Sequence, residues 1–538
     1  MRDRVTLAAD LVLPAELPAP AVVMRTPYGR VDERSSARAD AFASAGYVAV
    51  WVDVRGRGDS DGEFEPYRND GADGFDVIEF VAAQEWCSGA VATYGGSYPG
   101  RIQWLTALHR PPSLAAMIVL VTPSDPFVEN PTGVPGPMHI HWYRMTDGRV
   151  LQYTERVDWM EVYRERPLSE LDAAAGFVSR MWREECQHQT IDDWWGPLRY
   201  QHRLHEIDLP VLHISGWYDD EEIGTPANFA AMVAAGRSGQ RLLMGPWGHQ
   251  VNSGRTLGEL DFGHHSVIDL DAAMTGFLDE TVRGQPPADP IAPVRIFLMG
   301  ANEWLDLESW PPPGSEERSF YLDSGGRANS RFGDGRLIET PPRGESRRDE
   351  WIHDPDRPVP FITDASSAQI GGPDDYAGVQ TRGDVLVYTS DPLSEPLDVI
   401  GPVRLIASVA TSADDTDITA KLLDVHPNGF AQRLCDGLVR LRYRDGHDAA
   451  SPVAPGTVYE IEVVMWDTCQ RLHAGHRIGL EVASSAHPKY ASNLGVAGDQ
   501  TTATEGTIAH NRLYHGAAQP SRLVLTVSKR DELKASWD

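Results

Sequence analysis

The stretch Tyr94-Gly95-Gly96-Ser97-Tyr98-Pro99-Gly100 forces an abrupt change of chain direction. It follows a short β-prone run, Val91-Ala92-Thr93-Tyr94. It precedes a run that reads as a helix, Arg101 to Leu108. A strand, a sharp turn on serine and a helix form a nucleophile elbow, in which the serine sits on a strained turn. Side chains beside such a turn must be small or absent, and Gly95, two residues before Ser97, meets that need. Position +2 is Pro99, and the second glycine comes at +3 as Gly100, so the pattern is G-x-S-x-x-G. Gly-Gly-Ser is also a common loop, so the motif gains weight only from its surroundings.

Those surroundings alternate. Ala21–Met24 and Tyr47–Val52 read as buried strands, and 71–83 reads as a helix with Phe75, Val77, Ile78 and Val81 on one side. Such alternation predicts an α/β fold with a parallel sheet covered by helices on both faces. From about 125 to 206 β-branched runs fade and Trp, Arg and Glu become dense, which suggests an inserted helical cap. Alternation resumes at Leu209–Ile214 and Arg241–Met244. The run Trp310-Pro311-Pro312-Pro313-Gly314-Ser315 marks a boundary, and short β runs separated by Gly, Pro and Asp turns follow it. The expected architecture is an α/β-hydrolase core (1–124 and 207–316), a helical cap (125–206) and an all-β C-terminal jelly roll (317–538).

A serine becomes a useful nucleophile only with a base in reach and a carboxylate to orient that base. In α/β-hydrolases these follow in the order Ser, Asp/Glu, His, on loops at the carboxyl ends of strands. The strand at Val211 runs into Ser215-Gly216-Trp217-Tyr218-Asp219, and the next into Gly245-Pro246-Trp247-Gly248-His249. Asp219 and His249 are therefore the expected partners of Ser97, with Asp220, Glu221 and Glu222 competing for the orienting role. An oxyanion needs preorganised donors. The backbone N–H of Tyr98 is one, and the loop Arg25-Thr26-Pro27-Tyr28-Gly29-Arg30 is a candidate source of the second. Trp142 and Trp217 are candidate pocket walls.

The chain resembles the CocE/NonD family, the cocaine esterase and X-Pro dipeptidyl-peptidase-like serine hydrolases. The resemblance runs through Met1-Arg2-Asp3, Arg25–Tyr28, Asp53–Ser60, Gly95–Gly100, Gly216–Asp219, Gly245–His249, Asp384–Thr389, Asp415–Asp417, Gly475–Ile478 and Ser484-Ser485 with Pro488–Tyr490. It implies a triad of Ser97, Asp219 and His249 and a tyrosine hydroxyl, Tyr28, as oxyanion donor. It also implies that the G-x-S-Y-x-G elbow is the family's own form. One departure is informative. Esterases of the family that take aromatic acyl groups have apolar residues just past the triad Asp, where this chain has Asp220-Glu221-Glu222. The α-amino-acid ester hydrolase branch has acids at the second and third positions, here Glu221 and Glu222, which hold the substrate's ammonium. The expected activity is hydrolysis of a small-molecule ester or amide through an acyl-enzyme, without cofactor. The rivals are transfer of the acyl group to an amine or alcohol, and a non-catalytic ligand-binding protein.

Bulk properties narrow the partners. Lys+Arg 48 against Asp+Glu 78 gives a net charge of −30, which argues against nucleic acid or an anionic membrane. The N-terminus lacks the apolar core of a signal peptide, and no apolar stretch of about 18 residues exists. Cys87, Cys186, Cys435 and Cys469 form no C-x-x-C pair, so thiols in a reducing cytoplasm are expected. His139/His141 and His264/His265 lack a third ligand at credible spacing, and Asp59–Glu63 lacks a calcium-loop pattern, so no metal is expected. Self-association into a homo-oligomer is left open.

Overall fold

The computed structural model describes residues 1–31, 33–287, 290–364 and 370–529. The last residues assigned to the C-terminal domain, 530–538, lie outside them. Among the described residues, the N-terminal part builds a nine-stranded sheet. Its strands begin with β1 (Ala9–Val12), β2 (Ala19–Thr26), β3 (Val48–Asp53), β4 (Cys87–Gly96), β5 (Leu114–Leu120), β6 (Val211–Gly216) and β7 (Gln240–Gly245). Val294–Leu298 and Glu303–Leu307 complete it. The order is β1-β3-β2-β4-β5-β6-β7 followed by those two strands. Pairing is parallel from β3 through Val294–Leu298 and antiparallel at the two edges.

The sequence explains the central strands. Val48–Asp53 is buried at every position, as a run covered by helices on both faces must be. Helices α1 (Glu33–Ser44), α2 (Asp70–Ala82) and α3 (Tyr98–Ala107) pack on the sheet, with Gly224–Ala234 and Leu270–Arg283. Helix α2 meets α3 through Gly74, where a Cβ would stand 2.0 Å from Thr106 Oγ1. That close approach carries the Arg25–Asp70 pair (3.3 Å) into the interior beside α3.

Residues 125–206 fold as short helical pieces, among them His139–Met145 and Arg180–Gln187, joined by turns. Met138, Ile140, Trp159 and Trp182 form one apolar cluster with Phe361, Leu438 and Tyr490. Among the described residues the C-terminal part is an eleven-stranded sheet, antiparallel except where Arg336–Ile338 meets Leu386–Thr389. Its longest strand, Leu397–Thr411, pairs with Tyr459–Leu472, Ala509–His515 and Arg522–Ser528. The pairing with Tyr459–Leu472 breaks register between Pro402 and Arg404, and that with Arg522–Ser528 between Val399 and Val403, around a proline that lacks the ladder donor. Ile400 and Cys469 of this domain join the core cluster of the nine-stranded sheet, so the two parts share apolar interior. All four cysteines are buried free thiols.

Candidate active site

Strand β4 delivers Ser97 onto a turn at φ 59°, ψ −130°, a region that L-residues occupy only under constraint. Around it the chain is crowded. A Cβ on Gly95 would lie 2.5 Å from Pro99 Cβ, and one on Gly100 would lie 2.9 Å from Leu120 O. This accounts for glycine at +3. Pro99 falls in the first turn of α3, where a missing N–H costs no helical bond. The Ser97 N–H donates to Leu120 O (3.1 Å) and Val121 O (2.9 Å), which anchors the turn to β5.

Tyr98 opens α3, so its backbone N–H has no intrahelical acceptor and stands directly after the serine. Its side chain points inward. The hydroxyl donates to Asp70 Oδ2 at 2.6 Å and accepts from Tyr67 N at 3.1 Å. The ring stacks between Tyr67 and Trp142, with centroids 4.4 and 5.9 Å away. Tyr28 lies on the loop after β2, and Ser97 is one of the groups that act on its hydroxyl. It also accepts the Trp142 indole N–H at 3.0 Å. Burial pushes the Tyr28 hydroxyl up to about 12, so it keeps its proton at neutral pH.

The loops after β6 and β7 close on each other. Trp217 N donates to Gly245 O and Tyr218 N to Trp247 O, both at 3.0 Å. A Cβ on Gly216 would lie 2.2 Å from Trp247 O. This zip brings Asp219 Oδ1 to 2.8 Å from His249 Nδ1, while Asp219 Oδ2 accepts from Ser215 Oγ at 2.7 Å. Asp220 Oδ1 lies farther from that nitrogen, at 3.5 Å. Of the competing acids, Asp219 therefore makes the short contact. Burial opposes charge on His249, but the Asp219 hydrogen bond and the charges of Asp219, Asp220 and Glu129 outweigh it and raise the ring to about 9.

A group of carboxyls borders this set. Burial, with Asp219 and Asp220 nearby, raises Glu129 to about 8 against the pull of Arg101. Burial and Asp219 raise Asp220 to about 6, although His249 draws it down. Glu221 is pushed well above the carboxylate range by burial, then by Glu129, Asp220 and Asp219. Glu221 also acts electrostatically on Tyr28 and Tyr67. Arg101 is a nearby cation; it donates to Leu198 O at 2.6 Å and lies over the Tyr67 ring at 4.4 Å.

Two expectations are corrected. Glu222 does not share the Glu221 environment. It is 1 % exposed, and its charged neighbours are Asp467, Asp219 and Lys489, the first and last from the C-terminal domain. The chain turns here with i→i−3 hydrogen bonds, which swing successive side chains about 120° apart. Trp217 is a core residue rather than an acyl-pocket wall. It belongs to the core of the catalytic sheet, donates to Phe297 O at 2.9 Å and packs on Trp310. Trp142 does reach the site, through Tyr28. Glu129 escaped the sequence reading because nothing local distinguishes one acid in Asp125-Pro126-Phe127-Val128-Glu129 from a solvated one. Its Oε1 accepts the Ser124 N–H at 2.7 Å.

Comparison with known proteins identifies the family. Residues 3–251 match the X-Pro dipeptidyl-peptidase (S15) family, and 288–524 match the X-Pro dipeptidyl-peptidase C-terminal non-catalytic domain. A cocaine esterase of Rhodococcus sp. (strain MB1 Bresler) is 32% identical over 563 residues, covering 98% of this chain and 97% of its own. Two solved structures share the fold at 24% identity, each matched over 98% of this chain and 95% of its own. One is an α-amino acid ester hydrolase (TM-score 0.88), the other an aminopeptidase from a marine sediment Thaumarchaeota archaeon (TM-score 0.87). The chain belongs to the CocE/NonD, X-Pro dipeptidyl-peptidase-like family of serine hydrolases, which cleave ester or amide bonds.

Proposed function

We propose that Ser97, His249 and Asp219 form the catalytic triad and that the preferred substrates carry a cationic amine close to the scissile carbonyl. Ser97 Oγ attacks the carbonyl carbon, and its proton passes to His249 Nε2, since Nδ1 is committed to Asp219. The Tyr28 hydroxyl and the Tyr98 N–H donate to the oxygen as it gains charge. The His249 proton then goes to the departing alcohol or amine, leaving Ser97 acylated. Water, deprotonated by His249, releases the acid and restores the serine.

The observation that carries the substrate class is Glu221, set among Glu129 and Asp220 on the Tyr28 side of the triad. These carboxyls hold protons tightly because burial disfavours their charge and each acid repels the next. An ammonium there would replace those protons with a charge-assisted hydrogen bond worth about 1.5–3 kcal/mol. That is roughly a 10- to 150-fold preference over the des-amino analogue. The test compares kcat/KM for phenylglycine methyl ester and phenylacetic acid methyl ester in wild type and Glu221→Gln, with Ser97→Ala as inactive baseline. The amino ester should win in wild type and lose most of its advantage in Glu221→Gln. Equal rates in wild type, or a preference untouched by the substitution, would return a neutral acyl group as the better reading. The buried free cysteines support a reducing, cytoplasmic setting. Among the described residues no helix is long and apolar enough to cross a membrane.

A further inference from the structure

Away from the catalytic loops, the C-terminal domain gathers Asp424, His426 and His476. One ligand atom from each lies within 4.8 Å of the others. The backbone holds them together. Asp424 is near the end of strand Asp417–Val425 and pairs in register with Ile478 of Arg477–Ala483, directly after His476. His426 follows the same strand at a tight turn, where its N–H donates to Phe430 O at 2.9 Å. Asp424 Oδ1 is 2.7 Å from His476 Nδ1, and Oδ2 is 3.8 Å from His426 Nε2. The Asp424 side chain is 1 % exposed, whereas His426 and His476 are 24 % and 13 % exposed, which leaves a way in. Asp424 Oδ2 also accepts from Gln470 Nε2 at 3.3 Å, and the His473 ring lies 5.4 Å from that of His476.

We propose that Asp424, His426 and His476 form a structural site for a divalent transition metal such as Zn²⁺. Two imidazoles and one carboxylate suit Zn²⁺ and its neighbours, whereas Mg²⁺ and Ca²⁺ require mostly oxygen. The metal takes the place of the proton that Asp424 and His476 now share and releases it to solvent. With bonds of about 2.0–2.2 Å, the Asp424–His476 contact opens by a few tenths of an ångström. Gln470 stays on Asp424 as an orienting partner, the usual support for a ligating group. The site staples the strand pair beneath Gln432, whose Oε1 is 3.2 Å from His426 Nε2 and gives up that contact when the metal takes the nitrogen, while its Nε2 donates to the Tyr218 hydroxyl at 3.0 Å, next to Asp219.

The test strips the full chain with chelator and titrates Zn²⁺ by calorimetry, alongside thermal unfolding. Wild type should bind one equivalent and unfold about 3 °C or more higher with excess metal. His426→Gln keeps a hydrogen-bonding partner for Gln432 and preserves the fold, yet should weaken binding at least about tenfold. Absence of stoichiometric binding in wild type would overturn the proposal and leave an Asp424–His476 ion pair. Equal binding in His426→Gln would overturn it too. So would binding that survives in His426→Gln but is lost in Asp220→Asn, because the metal would then sit on the carboxyl–histidine set beside Ser97.

Discussion

At the scale of single residues, the site depends on groups that hold other groups in place. The Trp142 indole N–H donates into the Tyr28 oxygen, which leaves the phenolic proton to point along another direction, toward Ser97 and a developing oxyanion. Tyr28→Phe should therefore lower kcat by about 10²–10³ with little change in KM. Trp142→Phe should reproduce part of that loss while Tyr28 remains. Steady-state kinetics on p-nitrophenyl acetate separate the two parameters, and a loss confined to KM would reduce Tyr28 to a binding group. On the proposed triad, His249 sets the pH profile. Burial disfavours its cation, but Asp219, Asp220 and Glu129 hold the ring protonated to about pH 9. A general base must be neutral, so kcat/KM for a neutral ester should fall as pH drops through about 9, by about tenfold per unit. Asp220→Asn removes one of the charges that favour the cation and should move this limb toward acid. A profile flat from about pH 6 to 9 would contradict a base in this environment.

At the scale of elements, the proposed triad rests on two loops tied to each other. Those after β6 and β7 share two backbone hydrogen bonds and a glycine contact. Gly216→Ala would place a methyl group inside the Trp247 carbonyl, which is backbone and cannot rotate aside. Overpacking of this kind costs about 1–3 kcal/mol. Here the strain falls between Asp219 and His249, so kcat should drop by at least about tenfold, as for displaced catalytic groups. Circular dichroism should show an intact fold. Full activity in Gly216→Ala would mean that the loops tolerate separation.

At the scale of the molecule, the cap and the C-terminal domain are bound to each other and to the core. Arg440 is fully buried and grips Asp417 at 2.8 and 2.9 Å. It also donates to Thr132 O in the cap (3.1 Å) and to Ala491 O (2.9 Å). Arg440→Ala would leave Asp417 buried with Asn493 as its side-chain donor. Breaking a buried pair in this way costs about 3–5 kcal/mol, which a shift of the urea midpoint will register. An unchanged midpoint would show that water reaches Asp417. Across the other seam, Met299 N donates to Cys469 O at 3.0 Å and Arg471 N to Met299 O at 2.8 Å. The C-terminal domain thus continues the hydrogen bonding at the edge of the catalytic part.

Much of this was legible in the chain itself, because it follows from local rules. Glycine at 95 and 100 is a steric requirement of a turn that carries a serine at positive φ. The continuous apolar run at 48–52 requires a strand covered on both faces. The order Ser97, Asp219, His249 follows from strands that each end in a loop on one edge of the sheet. Tertiary structure alone decided the rest. It chose Asp219 over Asp220 by less than an ångström, brought Glu129 from the cap, turned Glu222 toward Asp467 and sank Trp217 into the core. The physical reason is common to these cases. A turn or a strand is written in the few residues that form it, whereas the partner, burial and proton affinity of a carboxyl depend on segments far away in sequence.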